Sequence, residues 1–283
     1  VIWFRRILAG LLLLALLAYG GITAYVYVKQ GQIVYLPTRT VEKTPDDYGI
    51  AYEEKRLSVK RATGETGKIT SWWLRSPRPN GISLLFLHGN ARNMGSNLGK
   101  MAALTQAGFN VLAIDYRGYG SSDGERPYEA AIYEDAGAAL DELKRREPDI
   151  RRRIIHGHSM GGAIAIDLAM RRPEAAALFI ESSFDSMVGM STVRAAYRLL
   201  PIKLILTERF ESIDKVTQLK LPVLYMHGTA DPVIPSVMSE RLYRATASAD
   251  KRLLLVDKGI HSNLHTFPQY FPALRELARV EQR

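Results

Sequence analysis

The strongest constraint on this chain is the six-residue stretch Gly157-His158-Ser159-Met160-Gly161-Gly162, set between the apolar run Arg153-Ile154-Ile155 and the helical run Ala163 to Ala169. A strand that passes directly into a helix through so few residues must turn sharply. The serine at the apex then takes a strained backbone conformation, and small neighbours are needed at Gly157 and Gly161 because side chains there would collide with adjacent backbone. A glycine-x-serine-x-glycine pattern recurs by chance, and its weight here comes from the strand before it and the helix after it. A helix starting at Met160 also directs unpaired amide hydrogens at the space above the serine, where they would meet developing negative charge.

The remainder of the chain has the alternation such a turn requires. Two strands without an intervening helix are expected at Arg56–Ala62 and Lys68–Arg75, followed by strands at Ile82–Leu87, Val111–Asp115, Arg153–His156, Ala177–Ile180, Val223–Met226 and Arg252–Val256. Helices are expected at Ser96–Ala107, Pro127–Arg146, Met160–Arg171, Asp185–Leu199, Ser236–Ala245 and Pro272–Val280. Apolar runs short enough for buried strands, alternating with longer amphipathic segments, imply a mostly parallel eight-stranded sheet flanked by helices. The length of 283 residues accommodates one large α/β domain with a short appendage. The absence of cysteine excludes disulfides, thiolate metal sites and a cysteine nucleophile.

A serine hydroxyl is a poor nucleophile at neutral pH and needs a base within hydrogen-bond reach. On an α/β sheet the partners of such a serine follow it in the order acid, then histidine. Of the six histidines, only His261 and His265 lie far enough downstream. His261 sits on a glycine-bearing loop after the last expected strand, whereas His265 suits a helix-facing or capping role. His88, His156, His158 and His227 are expected to bond loop backbone. Asp231 ends the run that begins at Pro222 and is followed by Pro232 and Pro235, which would stiffen its loop. It is the expected acid, with Asp185 one strand earlier as the fallback. A second donor for a developing oxyanion is expected from the main-chain N–H of Asn90, paired with that of Met160. The His261 and His265 pair has no third ligand at a spacing that completes a metal shell, so neither metal nor cofactor is expected.

From Ile7 to Val28 the chain carries no charged residue, a run of about 22 residues that is long enough to span a bilayer. A cleaved signal peptide is the competing reading, with Ala18-Tyr19-Gly20 as a weak cleavage site, but its apolar region normally stops sooner. Arg5 and Arg6 precede the run and Lys29 follows, so the N-terminus is expected on the cytoplasmic side and the folded domain on the outer side. Residues 1–30 read as the anchor, 31–45 as a linker, and 46–283 as the catalytic domain. The formal charge of +9 comes partly from basic clusters such as Arg151-Arg152-Arg153, read as solvated helix ends and loops or as contacts for anionic lipid headgroups. The expected partners are an acyl substrate and the membrane, not nucleic acid.

Several longer stretches carry a resemblance. They are Leu87–Asn93 (LHGNARN), Asp115–Glu129 (DYRGYGSSDGERPYE), Gly157–Gly162 (GHSMGG), Glu181–Met187 (ESSFDSM), Arg209–Val216 (RFESIDKV) and His227–Pro235 (HGTADPVIP). In these the chain resembles the α/β-hydrolase superfamily, and within it the single-pass membrane-anchored bud-emergence branch of fungi and plants. The resemblance implies a serine hydrolase of esters or thioesters with Ser159, Asp231 and His261 in the triad positions. Animal relatives include protein depalmitoylases, whose cysteine-rich N-terminal region this chain lacks. The segment 184–221 would form a small helical lid with Met187, Val188, Met190, Tyr197, Leu199 and Leu200 on an apolar face, either over an acyl chain or packed on the sheet. A peptidase with the same triad and a non-catalytic scaffold are the remaining classes. Haloalkane and epoxide hydrolases are disfavoured, because they need a carboxylate where Ser159 stands.

Overall fold

The structure is a computed structural model that describes residues 2–279 other than 63 and 125. In chain order its helices and strands are α1 (Ile2–Val34), β1 (Leu36–Pro37), β2 (Tyr52–Lys60), β3 (Thr66–Leu74), β4 (Ser83–Leu87), β5 (Ala91–Arg92), α2 (Leu98–Gln106), β6 (Asn110–Ile114) and α3 (Glu129–Arg146). There follow β7 (Arg153–His158), α4 (Met160–Arg171), β8 (Ala177–Glu181), α5 (Met187–Ser191), α6 (Ile202–Ile205), α7 (Ser212–Lys215), β9 (Val223–Gly228), α8 (Val237–Ala245), β10 (Lys251–Val256) and α9 (Tyr270–Arg279).

Eight strands form one sheet in the order β10-β9-β8-β7-β4-β6-β3-β2. Only β3 runs against the rest, pairing antiparallel with β2 and β6. This is the α/β-hydrolase fold. Strands β4, β7, β8 and β9 are buried along their whole length, as befits a sheet covered on both faces. One apolar layer joins the sheet to α3, α4 and α8 through residues such as Ile132, Ile164 and Leu242. The other joins it to α2 and α9 through Leu98, Leu104 and Leu274.

Differences from the sequence reading cluster at the two ends of the site. The helix expected over Asp185–Leu199 is instead a series of short pieces: α5, a 3-10 turn at Ala195–Leu199, and α6. Ser186 caps α5 by accepting from the Gly189 amide, Thr192 and Val193 favour extended backbone, and Pro201 bars a continuous ladder. The expected linker is not loose either. Helix α1 runs on to Val34, β1 pairs in parallel with β5, and Pro45 is buried at the start of a 3-10 turn. Val280, the expected end of the last helix, and Glu125 of the Asp115–Glu129 motif lie outside the described residues.

The elbow is built by close backbone packing. A Cβ on Gly161 would lie 1.9 Å from the Leu87 carbonyl oxygen, and one on Gly157 would lie 2.2 Å from that of Gly161. By contrast, Gly137 inside α3 has only the Arg172 guanidinium near, at 4.0 Å. Alanine normally stabilises a helix interior by about 0.5–1 kcal/mol relative to glycine. Gly137→Ala should therefore raise the thermal midpoint, whereas Gly161→Ala, also helical, should lose about 3 kcal/mol or fail to fold. Thermal unfolding in detergent solution reads both, and equal behaviour of the two variants would contradict this account of the elbow.

Candidate active site

Ser159 sits at φ 58° and ψ −125°, outside the regions a serine ordinarily occupies. Three hydrogen bonds hold it there. Its amide donates to the Glu181 carbonyl at 2.9 Å, while its own carbonyl accepts from the Ser183 hydroxyl at 2.8 Å and the Gly162 amide at 2.9 Å. The strain is thus maintained by the neighbouring strand β8. Met160 is the first residue of α4, and its N–H has no acceptor one turn earlier.

His261 reaches the site from the loop after β10. Its Nδ1 lies 2.7 Å from Asp231 Oδ2, with the histidine side chain 16% exposed and the aspartate fully buried. The two loops can meet because glycine faces glycine: a Cβ on Gly228 would lie 2.1 Å from the Gly259 carbonyl oxygen. Asp231 is also gripped by its own loop, Oδ1 accepting from the Val233 and Ile234 amides at 2.8 and 3.0 Å. Burial by itself would raise its carboxyl pKa, but hydrogen bonds from His227 and His261 and the Ile234 amide hold it well below the usual range. Asp231 therefore stays ionised. With Nδ1 committed to it, His261 has Nε2 left for another proton partner.

Two further histidines brace this pair. His227 Nε2 lies 2.9 Å from the Ile234 carbonyl oxygen and 3.2 Å from Asp231 Oδ2, so that nitrogen must carry the proton. Its Nδ1 then accepts from the Ser239 hydroxyl at 2.6 Å. His158 Nε2 donates to the His261 carbonyl at 2.9 Å, fixing the backbone of the residue that shares the cavity with Ser159. Burial, with Lys100 nearby, lowers the His158 pKa far enough to keep it neutral. The expected backbone contacts are present for His88, His158 and His227, whereas His156 bonds the Glu181 carboxylate instead, and the contact of His227 with Asp231 was not expected.

Asp185, the fallback acid, is turned elsewhere. Its Oδ2 pairs with the Arg241 guanidinium at 3.0 Å, and no bond joins it to His261 among the described residues. His265 lines the same cavity as His261 but makes no contact with Asp231, and its buried Nδ1 has no protein partner. No group of three or more possible metal ligands occurs among the described residues.

Asn90 is held from three sides. Its side chain donates to the Val34 carbonyl at 2.7 Å, and its carbonyl accepts from the Leu36 amide at 3.0 Å and the Tyr119 hydroxyl at 2.8 Å. The end of α1 and β1 thus clamp the loop that presents the Asn90 amide. Ser159, His158, His261, Asn90 and Lys100 line one cavity of about 410 Å³.

Beneath the cavity lies a buried charge cluster that the sequence reading did not identify. Glu181, at the end of β8, accepts from Lys100 Nζ at 2.5 Å and from His156 Nε2 and the Tyr270 hydroxyl at 3.0 Å each. Burial alone would raise the Glu181 carboxyl, but the Lys100 ammonium and the His156 hydrogen bond outweigh it and hold its pKa well below the ordinary value. The available signal was a glutamate ending a strand inside the Glu181–Met187 motif. Its cation comes from a helix 81 residues away in sequence, so no local pattern could pair them.

With the geometry in place, the comparisons decide the family. A family model described as Serine aminopeptidase, S33 matches residues 78–200 and 185–266. The chain belongs to this family of α/β hydrolases. It is similar to protein bem46 of Schizosaccharomyces pombe, with 30% identity over 262 residues, 89% of this chain and 86% of that protein. The alpha/beta hydrolase domain-containing protein WAV2 of Arabidopsis thaliana is 28% identical over 86% of each chain. An esterase of Pyrococcus furiosus superposes with a TM-score of 0.72 at 20% identity, covering 88% of this chain and 98% of its own, which speaks for the fold.

Removing one member of a buried ion pair strands the other, at a cost of about 3–5 kcal/mol. Lys100→Met should lose stability on that scale, and adding Glu181→Gln should recover much of it. Denaturant unfolding of the four proteins in the cycle measures the coupling, and strictly additive losses would show that the two side chains do not act as a pair.

Proposed function

We propose that this hydrolase cleaves carboxylic esters or thioesters through an acyl-enzyme on Ser159, with His261 as base and Asp231 as the acid that orients it. The observation that carries this reading is the His261–Asp231 contact of 2.7 Å beside a strained serine that shares a cavity with His261. In the reaction the Ser159 proton passes to His261 Nε2 as Oγ attacks the acyl carbonyl. The carbonyl oxygen becomes an alkoxide and takes hydrogen bonds from the Asn90 and Met160 amides. The imidazolium, stabilised by Asp231, then protonates the departing alcohol or thiol. Water repeats the sequence to release the acid. No cofactor enters this chemistry.

The family model's description supports a second reading, cleavage of peptides from a free amino end. Recognition of a substrate ammonium calls for an anionic or strongly accepting wall. Among the described residues, those lining the cavity include Arg92 but neither aspartate nor glutamate, and the charge of Lys100 is already matched by Glu181. Such a lining suits neutral or anionic acyl groups better than an amino terminus, so the ester reading is preferred.

We also read α1 as a single-pass anchor. Its 33 residues contain an 18-residue window of mean hydropathy 2.2 with none of that window buried. Residues 1–30 would form the anchor, with the N-terminus cytoplasmic, and 46–283 the catalytic domain on the outer side. Residues 31–45 would act as a strap between them.

Fluorophosphonate labelling with turnover of acyl esters, thioesters and aminoacyl amides tests the reading. Ser159→Ala should abolish labelling and lower kcat by about 10⁶-fold. Asp231→Asn should cost about 10⁴-fold, the loss recorded when the orienting acid of another serine enzyme is neutralised. Asp185→Asn, if folded, should turn over nearly normally. Labelling that survives in Ser159→Ala would remove the serine mechanism, and faster turnover of amides than of esters would favour the peptidase.

A further inference from the structure

We propose that the lid is a membrane-inserting face: residues 193–204 sit in the bilayer leaflet next to the catalytic domain, so the active-site cleft opens at the lipid surface. This rests on the reading of α1 as a spanning helix and adds what the lid does beside it.

The first observation is where the lid touches the helix. The Tyr19 hydroxyl donates to the Leu199 carbonyl at 3.0 Å. Farther along α1, Gln30 Nε2 donates to the Ile205 carbonyl at 3.2 Å, and its Oε1 accepts from the Thr207 amide at 2.7 Å. Tyr19, Val26 and Gln30 fall on one stripe of the helix, so the lid runs along α1 rather than touching only its end. At 1.5 Å per residue, Tyr19 lies about 13 Å inside the uncharged run measured from Val28. A span of about 20 residues that starts after Arg6 ends at Val26 or beyond, which leaves Tyr19 within the apolar layer. Whatever lies beside Tyr19 shares that depth.

The second observation is the surface the lid presents. Leu199 is 80% exposed and Leu204 is 87% exposed on adjacent turns, so the lid presents two nearly bare leucines on the side of α1. From Met187 to Thr207 the segment has no acidic residue, while Arg194, Arg198 and Lys203 are all exposed. Long basic side chains can extend from a shallow insertion to anionic headgroups, which complements the leucines.

The third observation is that the lid backbone largely satisfies itself. Amides at Thr192, Val193, Tyr197, Leu200, Leu204 and Leu206 all donate to carbonyls within four residues. Backbone that enters lipid has to be paired in this way, because no water replaces missing partners. Val34, at the end of the same helix, bonds Asn90 of the active-site loop, so the cleft lies close to where the anchor leaves the membrane.

The chain has no cysteine, so single replacements give unique labels. The full-length protein with Leu199→Cys or Leu204→Cys, labelled with an environment-sensitive nitrobenzoxadiazole dye, is reconstituted into phosphatidylcholine–phosphatidylglycerol vesicles containing doxyl-quencher lipids. Leu13→Cys reports on the spanning helix, and the exposed Lys220→Cys, in the loop before β9 at the opposite end of the parallel strands from the lid, serves as the aqueous control. The dyes at 199 and 204 should be blue-shifted and quenched several-fold more than the dye at 220. Quenching at 13 without quenching at 199 and 204 would overturn the proposal and leave the anchor intact. No quenching at 13 would remove the spanning reading and the proposal with it. In the same vesicles, Leu199→Asp with Leu204→Asp should raise KM several-fold for a long-chain ester held in the bilayer while leaving a soluble short ester unaffected. Equal effects on both substrates would count against the proposal. Absence of hydrolysis by the unmodified protein would instead count against the serine hydrolase reading, with the quenching data still standing.

Discussion

The structure depends on one tight backbone contact, where the turn after β7 presses against the end of β4. Gly161 lies so close to the Leu87 carbonyl that no side chain fits, and this closeness lets Ser159 stand above the sheet at a positive φ. Strain of this kind persists only where surrounding interactions over-determine it. Here the amide and carbonyl of Ser159 are bonded to Glu181, the last residue of β8, and to Ser183, two residues beyond it, so relaxing the turn would break into the neighbouring strand. The same contact brings the Asn90 loop, which follows β4, beside the start of α4. Ser159 and the amides of Asn90 and Met160 are therefore positioned by one packing event.

Charge within the site is arranged on two levels. Asp231 is kept ionised by His227 and His261 and by its own loop amides, so His261 meets a fixed negative partner. Below, Glu181 and Lys100 neutralise one another, while burial keeps His156 and His158 uncharged. Neutral His158 can then serve as a plain hydrogen-bond prop for the His261 backbone. An uncompensated charge in that floor would act strongly on the groups above it.

The N-terminal segment is part of the frame around the cavity. The end of α1 and β1 bond Asn90 through Val34 and Leu36, and Gln30 holds the end of the lid. Helix, lid and active-site loop thus share one frame.

The sequence alone determined the strand and helix alternation, the elbow and the loops that carry Asp231 and His261. These are written in short-range pattern: apolar runs of strand length, glycines where backbones cross, and prolines that stiffen a turn. The expected helix at Met160–Arg171 coincides with α4, because the elbow defines its start and the apolar face its length. The sequence already preferred Asp231 to Asp185, and what tertiary structure added is the packing that turns Asp185 toward Arg241. Tertiary structure alone decided the partnership of Lys100 with Glu181, the brace from His227, and the clamp of residues 34–36 on Asn90. Each of these joins side chains or backbone from separate elements, and their energies come from burial and charge pairing that exist only once the sheet has assembled. The lid broke into short turns for the same reason: its apolar residues are divided between α1, the sheet and the outer surface, and no single helical stripe could serve all three.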